Sequence, residues 1–157
     1  MSSIVSLLAF SLIGKWYVLP LLNSLPRALA LMSILLFHSF RHMGMAFLVP
    51  GVVSPNLAPS FAYPAAYGDL LAAVLAFVAL TALRLHWAIA IPLVWIFNLE
   101  GTIDLLYALF QGNRNQVAEQ LGATYFIPTI VVPALLVTHF MVFKLLLKRE
   151  ETGVVQN

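Results

Sequence analysis

Apolar residues do not alternate with polar ones along this chain. They run in blocks of about twenty, each closed by polar residues or by proline and glycine. A block of that length is what an α-helix needs to cross a hydrocarbon layer of about 30 Å. Five blocks can be marked, at about 4–22, 27–49, 67–83, 88–110 and 125–147. Asn23-Ser24-Leu25-Pro26 closes the first, and Pro50-Gly51 closes the second. The fourth and fifth are separated by a polar run from Gln111 to Gly122. The weakest boundary is Arg84-Leu85-His86-Trp87. The pattern predicts an all-α fold, a five-transmembrane-helix bundle forming a single domain over 1–149, with a short polar tail at 150–157. The first block imitates a signal peptide, and Ala28-Leu29-Ala30 imitates a cleavage site, which would leave four spans. That block lacks a positive leading region and Lys15 interrupts it, so it counts as a span.

Composition narrows the class further. Of 157 residues, 62% are hydrophobic and only 9% charged, with a mean hydropathy of +0.96. A soluble domain of this size could not bury so much apolar surface, and a disordered chain would carry far less of it. The absence of cysteine excludes a disulfide scaffold and a zinc-thiolate site. Although the pI is near 9.2, net charge is only +2 and no basic run with interleaved aromatics occurs. No nucleic acid partner is therefore expected; the expected partner is the lipid bilayer.

The basic residues set an orientation. With the N-terminus outside, Arg27, Arg84, Lys144, Lys148 and Arg149 fall on the cytoplasmic side, while Arg114 faces out. This is the bias of a bacterial inner (plasma) membrane protein with a cytoplasmic C-terminus. The connector from Gly51 to Ala66 carries Pro55, Pro59 and Pro64 together with Phe61 and Tyr63. It reads as an interfacial linker, the alternative being a lid over a cavity. No internal repeat is visible, so an inverted-repeat transporter finds no support.

The informative residues are ionisable ones inside the blocks, each of which costs about 2.5–3.5 kcal/mol to insert. The second block holds His38, Arg41 and His42, the fourth Glu100 and Asp104 with the neutral Asn98 beside them, and the fifth His139. Lys15 lies in the first, and Asp69 opens the third. On α-helical spacing His38, Arg41, His42 and Met45 share a face, and Glu100, Asp104 and Tyr107 lie within about 60° of one another. Tyr125, Val132 and His139 line up along the fifth block.

Imidazoles four apart on a helix are a recurrent metal-ligand spacing. His38, His42 and His139 are thus expected to bind a metal ion, zinc or a redox metal, completed by Glu100 or Asp104. Non-covalent haem, with His38 or His42 and His139 as axial ligands from facing helices, is the other cofactor expectation, as no Cys-x-x-Cys-His occurs. In that reading Glu100, Asp104 and Arg41 are catalytic, and Tyr107 and Tyr125 touch the cofactor. His38-Ser39-Phe40-Arg41-His42 lacks the glutamate of a zinc-protease helix. No nucleophile elbow, phosphate-binding glycine loop or redox dithiol is found either.

Two metal-free readings use the same residues. One is a proton relay or a small-ligand site for an apolar or anionic molecule, with Arg41 clamping an anionic group and Trp95 and Tyr107 as walls. The other is purely structural, with Arg41 pairing Asp104 or Asp69, and Glu100 pairing a histidine, to lock helices in a subunit of a membrane complex. Transport by so short a chain would require a homo-oligomer.

Overall fold

The computed structural model describes residues 2–148. The expected polar tail, 150–157, and Arg149 lie outside the described residues. Five helices are long and apolar enough to cross a membrane: α1 (Ser2–Asn23), α2 (Arg27–Leu48), α3 (Pro59–Arg84), α4 (Ala90–Arg114) and α5 (Gly122–Leu147). Among the described residues there is no strand. Helices α2 to α5 surround a common core, and α1 lies outside them against α5. Large apolar side chains such as Leu71, Phe77, Ile96, Ile103 and Phe140 stand exposed on the outer surface. That is the surface a hydrocarbon solvent selects.

The largest change from the sequence pattern is the start of α3. Its expected beginning was residue 67, but the helix starts at Pro59, eight residues earlier. Pro59 occupies the first helical turn, where a missing N–H costs nothing. Pro64 lies inside the helix and frees the carbonyl of Ser60, which accepts a hydrogen bond from Gln111 Nε2 at 3.3 Å. The proline-rich connector therefore shrinks to 49–58. Its backbone is pinned to the α4–α5 segment by Ser54 N–H to Gln120 O (2.9 Å) and Ala123 N–H to Val52 O (3.1 Å). Gly122, at φ +50°, passes Val52 O too closely for a side chain.

Three helices depart from α geometry. Leu19 N–H in α1 and Val132 N–H in α5 reach back five residues, to Gly14 O and Ile127 O, making single π turns at Gly14–Val18 and Ile127–Val131. Each π turn ends two residues before a proline, Pro20 or Pro133, where the α ladder is already broken. The third departure matters most. From Ser39 to Leu48 α2 is a 3-10 helix of ten residues, far longer than the usual three or four. Ser39 Oγ donates to Leu36 O at 2.7 Å, and His42 Nδ1 donates to Ser39 O at 2.9 Å. Both bonds take carbonyls three residues back, which favours the tighter winding.

The core is in two parts. At the end bearing Arg27, Arg84, Lys144 and Lys148 a dry cluster holds Leu31, Ile34, Leu35, Ala76, Ala79, Val94, Phe97 and Val142. The other end packs Phe47, Leu57, Phe61, Leu105, Val117 and Leu121. The polar residues lie between them.

Candidate functional site

In a 3-10 helix residues three apart eclipse. His38, Arg41, Gly44 and Phe47 are accordingly all buried on one face of α2. Arg41 points from that face into the middle of the bundle, 4% exposed. Its Nε donates to Asp69 Oδ1 of α3 at 2.7 Å, and its Nη2 to Asp104 Oδ2 of α4 at 2.6 Å. Nη1 donates to Gly101 O (3.3 Å) and lies 3.4 Å from His139 Nε2 of α5. One guanidinium thus ties four helices together and serves two carboxylates.

Room for this centre comes from glycine. A Cβ on Gly44 would strike Asp69, one on Gly68 would strike Asp104, and one on Gly101 would strike both His139 and Arg41. Each of α2, α3 and α4 contributes one such residue.

The histidines form a second layer toward the dry end. Arg41 can only donate, so His139 Nε2 accepts and its Nδ1–H donates to Asn98 Oδ1 at 2.7 Å. Asn98 Nδ2 returns a bond to His139 O at 3.3 Å, which fixes the amide orientation. His38 lies 4.3 Å from His139 between ring centroids, and Phe97 packs edge-on against His38. Thr138 Oγ1 spends its hydrogen on the carbonyls of its own helix, so it accepts from His38 Nε2–H at 2.9 Å. That leaves His38 Nδ1 buried without a partner among the described residues.

The expected site is therefore assembled only in part. Arg41, Asp104, His38 and His139 come together, joined by Asp69, Asn98 and Thr138. His42 does not join them: it is exposed and, among the described residues, bonds only to Ser39 O. The expectation that it shares a face with His38 assumed α spacing. Four residues of 3-10 helix instead turn its side chain about 120° away. Nor does Glu100 pair with a histidine. It is half-buried on the α3 flank of α4, and its Oε2 has no hydrogen-bond partner among the described residues. Tyr107 is exposed on that same flank and accepts from Gln111 Nε2 at 3.0 Å. Trp95 packs against Phe143 beside the dry cluster rather than against the site. Among the described residues no group of three or more His, Asp or Glu side chains is arranged to hold a metal ion. The guanidinium itself occupies the place where the histidine and the carboxylates converge.

Asp69 is the member that the sequence placed wrongly. With α3 starting at residue 67 it belonged to the edge; with the helix starting at Pro59 it lies three turns inside. The proline at a helix start was the available signal.

Two cavities meet the ion-pair centre. The first, of about 590 Å³, runs from Asn113 at the end of α4 and Gln116 and Glu119 of the α4–α5 segment down to Asp104 and Asp69. Tyr125 lines it, and its hydroxyl is 3.5 Å from Ser2 Oγ. Its outer wall is thus the α4–α5 segment, with the proline connector only bracing that segment from behind. The second cavity, of about 480 Å³, lies between α1, α2 and α5. Asp69 lines both.

No curated protein and no solved structure matches the chain. A family model described as "Domain of unknown function (DUF8737)" matches residues 1–147. With nearly its whole length covered, the chain belongs to that family.

Proposed function

We propose that this chain is an integral membrane protein that binds a small organic ligand without a metal, in the cavity between the α4–α5 segment and the Asp69–Arg41–Asp104 centre. The observation that carries this reading is the cavity itself. It leads from polar loop residues to two carboxylates buried between helices, and its volume is in the range of small-molecule sites. Asp104 Oδ1 accepts no hydrogen bond from any described residue, so a polar atom remains to orient an occupant. Beyond Arg41 the bundle is closed by Leu31, Leu35, Val94, Phe97 and Val142. A dry plug of this kind favours binding at a blind-ended site over conduction through a single copy.

In the bilayer the cavity opens outward. Four basic residues, Arg27, Arg84, Lys144 and Lys148, mark the other end as cytoplasmic, against Arg114 alone at the cavity end. The N-terminus then lies outside, as in a bacterial inner membrane.

Native mass spectrometry of protein released from a mild detergent tests the reading. A retained organic mass is expected, and it should be displaced in Ala108→Trp, which fills the cavity from α4. If wild-type protein carries no mass but detergent and bulk phospholipid, and no small molecule raises its melting temperature more than that of Ala108→Trp, the proposal fails.

A further inference from the structure

The second cavity differs from the first in what lines it. Phe10 of α1, Phe37, Phe40 and Met43 of α2, and Ile130 of α5 make its walls. Phe37, Phe40, Met43 and Ile130 are each about half exposed, so the chamber opens sideways, where a bilayer presents its acyl chains. The lining is otherwise mostly apolar, and the two charged residues it reaches are Arg41 and Asp69, beside Gly44. An apolar recess that ends on a buried charged group has the shape of an amphiphile site.

The hydrogen bonds decide the sign of the amphiphile. Arg41 spends its nitrogens on Asp69, Asp104, Gly101 and His139. Asp69 is 8% exposed, and only its Oδ1 is engaged. Oδ2 takes no hydrogen bond from any described residue and lies against Gly44, itself a lining residue of the chamber, in the space a Cβ there would need. The atom offered to an occupant is therefore an acceptor. Two carboxylates also share one guanidinium, so the local charge favours a cation. An anionic head group would meet two carboxylates beside a single guanidinium, an unfavourable field.

We infer that the chamber binds an amphiphilic ammonium compound, a single hydrocarbon chain ending in a protonated primary amine. The chain lies among Phe37, Phe40 and Ile130, and the ammonium donates to Asp69 Oδ2. The ammonium supplies the positive charge that the second carboxylate lacks, which matters most where water is excluded. This replaces the expectation that Arg41 clamps an anionic group. It rests on the reading of Asp69 as a ligand-facing carboxylate, but the two cavities can be blocked separately.

The test is photolabelling in nanodiscs of zwitterionic phospholipid. Three probes share a diazirine-bearing dodecyl chain and end in an amine, an alcohol or a sulfate. Peptides containing Phe40 and Ile130 should be labelled about tenfold more by the amine than by either other probe, a difference of about 1.4 kcal/mol. That preference should vanish in Asp69→Asn and in Ile130→Trp, which fills the chamber from its rim. If Asp69→Asn does not fold, Ile130→Trp decides. Equal labelling by amine and alcohol, stronger labelling by the sulfate, or amine labelling that persists in Ile130→Trp each overturns the inference. Amine labelling that follows expectation while no ligand is found in the first cavity supports this inference and sinks the earlier reading alone.

Discussion

Gly101 stands so close to Arg41 that a Cβ at this position would lie 2.7 Å from Nη1, and 2.6 Å from Cε1 of His139. Neither neighbour can swing away, because the guanidinium is held by two carboxylates and the imidazole by Asn98. Gly101→Ala should therefore cost about 1–3 kcal/mol through overpacking. Gly14 is the control. A Cβ there would meet the terminal methyl of Met141, the far end of a flexible side chain, and come within 3.1 Å of Val137 Cγ1, which must give by a few tenths of an ångström. Gly14→Ala should be neutral or gain up to about 1 kcal/mol from helix propensity. Thermal unfolding of both variants in one detergent checks the contrast, and equal effects would contradict it.

The ion-pair centre makes a sharper statement about Arg41. Replacing it with leucine leaves two acids facing each other between helices, and breaking such a pair costs about 3–5 kcal/mol. Adding Asp69→Asn and Asp104→Asn to Arg41→Leu removes the stranded charges and should restore most of that loss. Lysine should not substitute well, since one ammonium cannot present the guanidinium fork to two helices at once. Folded yield and unfolding midpoints of the single and triple variants decide this. A triple variant less stable than Arg41→Leu would mean that the acids are held by contacts other than the charge they share.

The number of helices, and four of their starts to within three residues, were legible because uninterrupted apolar blocks have one stable solution in a bilayer. The site was less legible, for two local reasons. Pro59 and Pro64 look like loop residues, so Asp69 was assigned to a helix edge rather than its interior. The 3-10 winding after His38 leaves no periodic signature, because leucine, phenylalanine and methionine sit on every side of α2. Arg41, Asp104 and His139 were found because charge in an apolar block is conspicuous whatever the winding. Gly44 and Gly68 were missed, since a glycine becomes informative only once its neighbour across the interface is known.

His42 of α2 and His139 of α5 should behave oppositely. His42 is exposed and touches only its own helix, so His42→Ala should change stability by less than about 0.5 kcal/mol. His139 is 1% exposed and is bonded to Asn98 beside Arg41. His139→Ala strands the Asn98 carbonyl oxygen and opens a cavity, at a cost of about 2–4 kcal/mol. Both variants can be read from the same chemical unfolding curve. A large loss in His42→Ala would place that residue in a contact that its position on the outer face does not provide.

The winding of α2 can be tested without any ligand. In an α-helix residues seven apart face the same way to within about 20°; in a 3-10 helix they are about 120° apart. Phe40 and Phe47 are such a pair, the first 60% exposed and the second 4%. The chain contains no cysteine, so a single cysteine carrying a spin label reports one site without background. In liposomes, a label at 40 should collide freely with dissolved oxygen, which concentrates in the hydrocarbon, whereas one at 47 should be shielded. Should 40 and 47 prove equally accessible, the segment is an ordinary α-helix. His42 would then rotate back beside His38, and the metal-ligand spacing that the 3-10 turn dismantles would be restored.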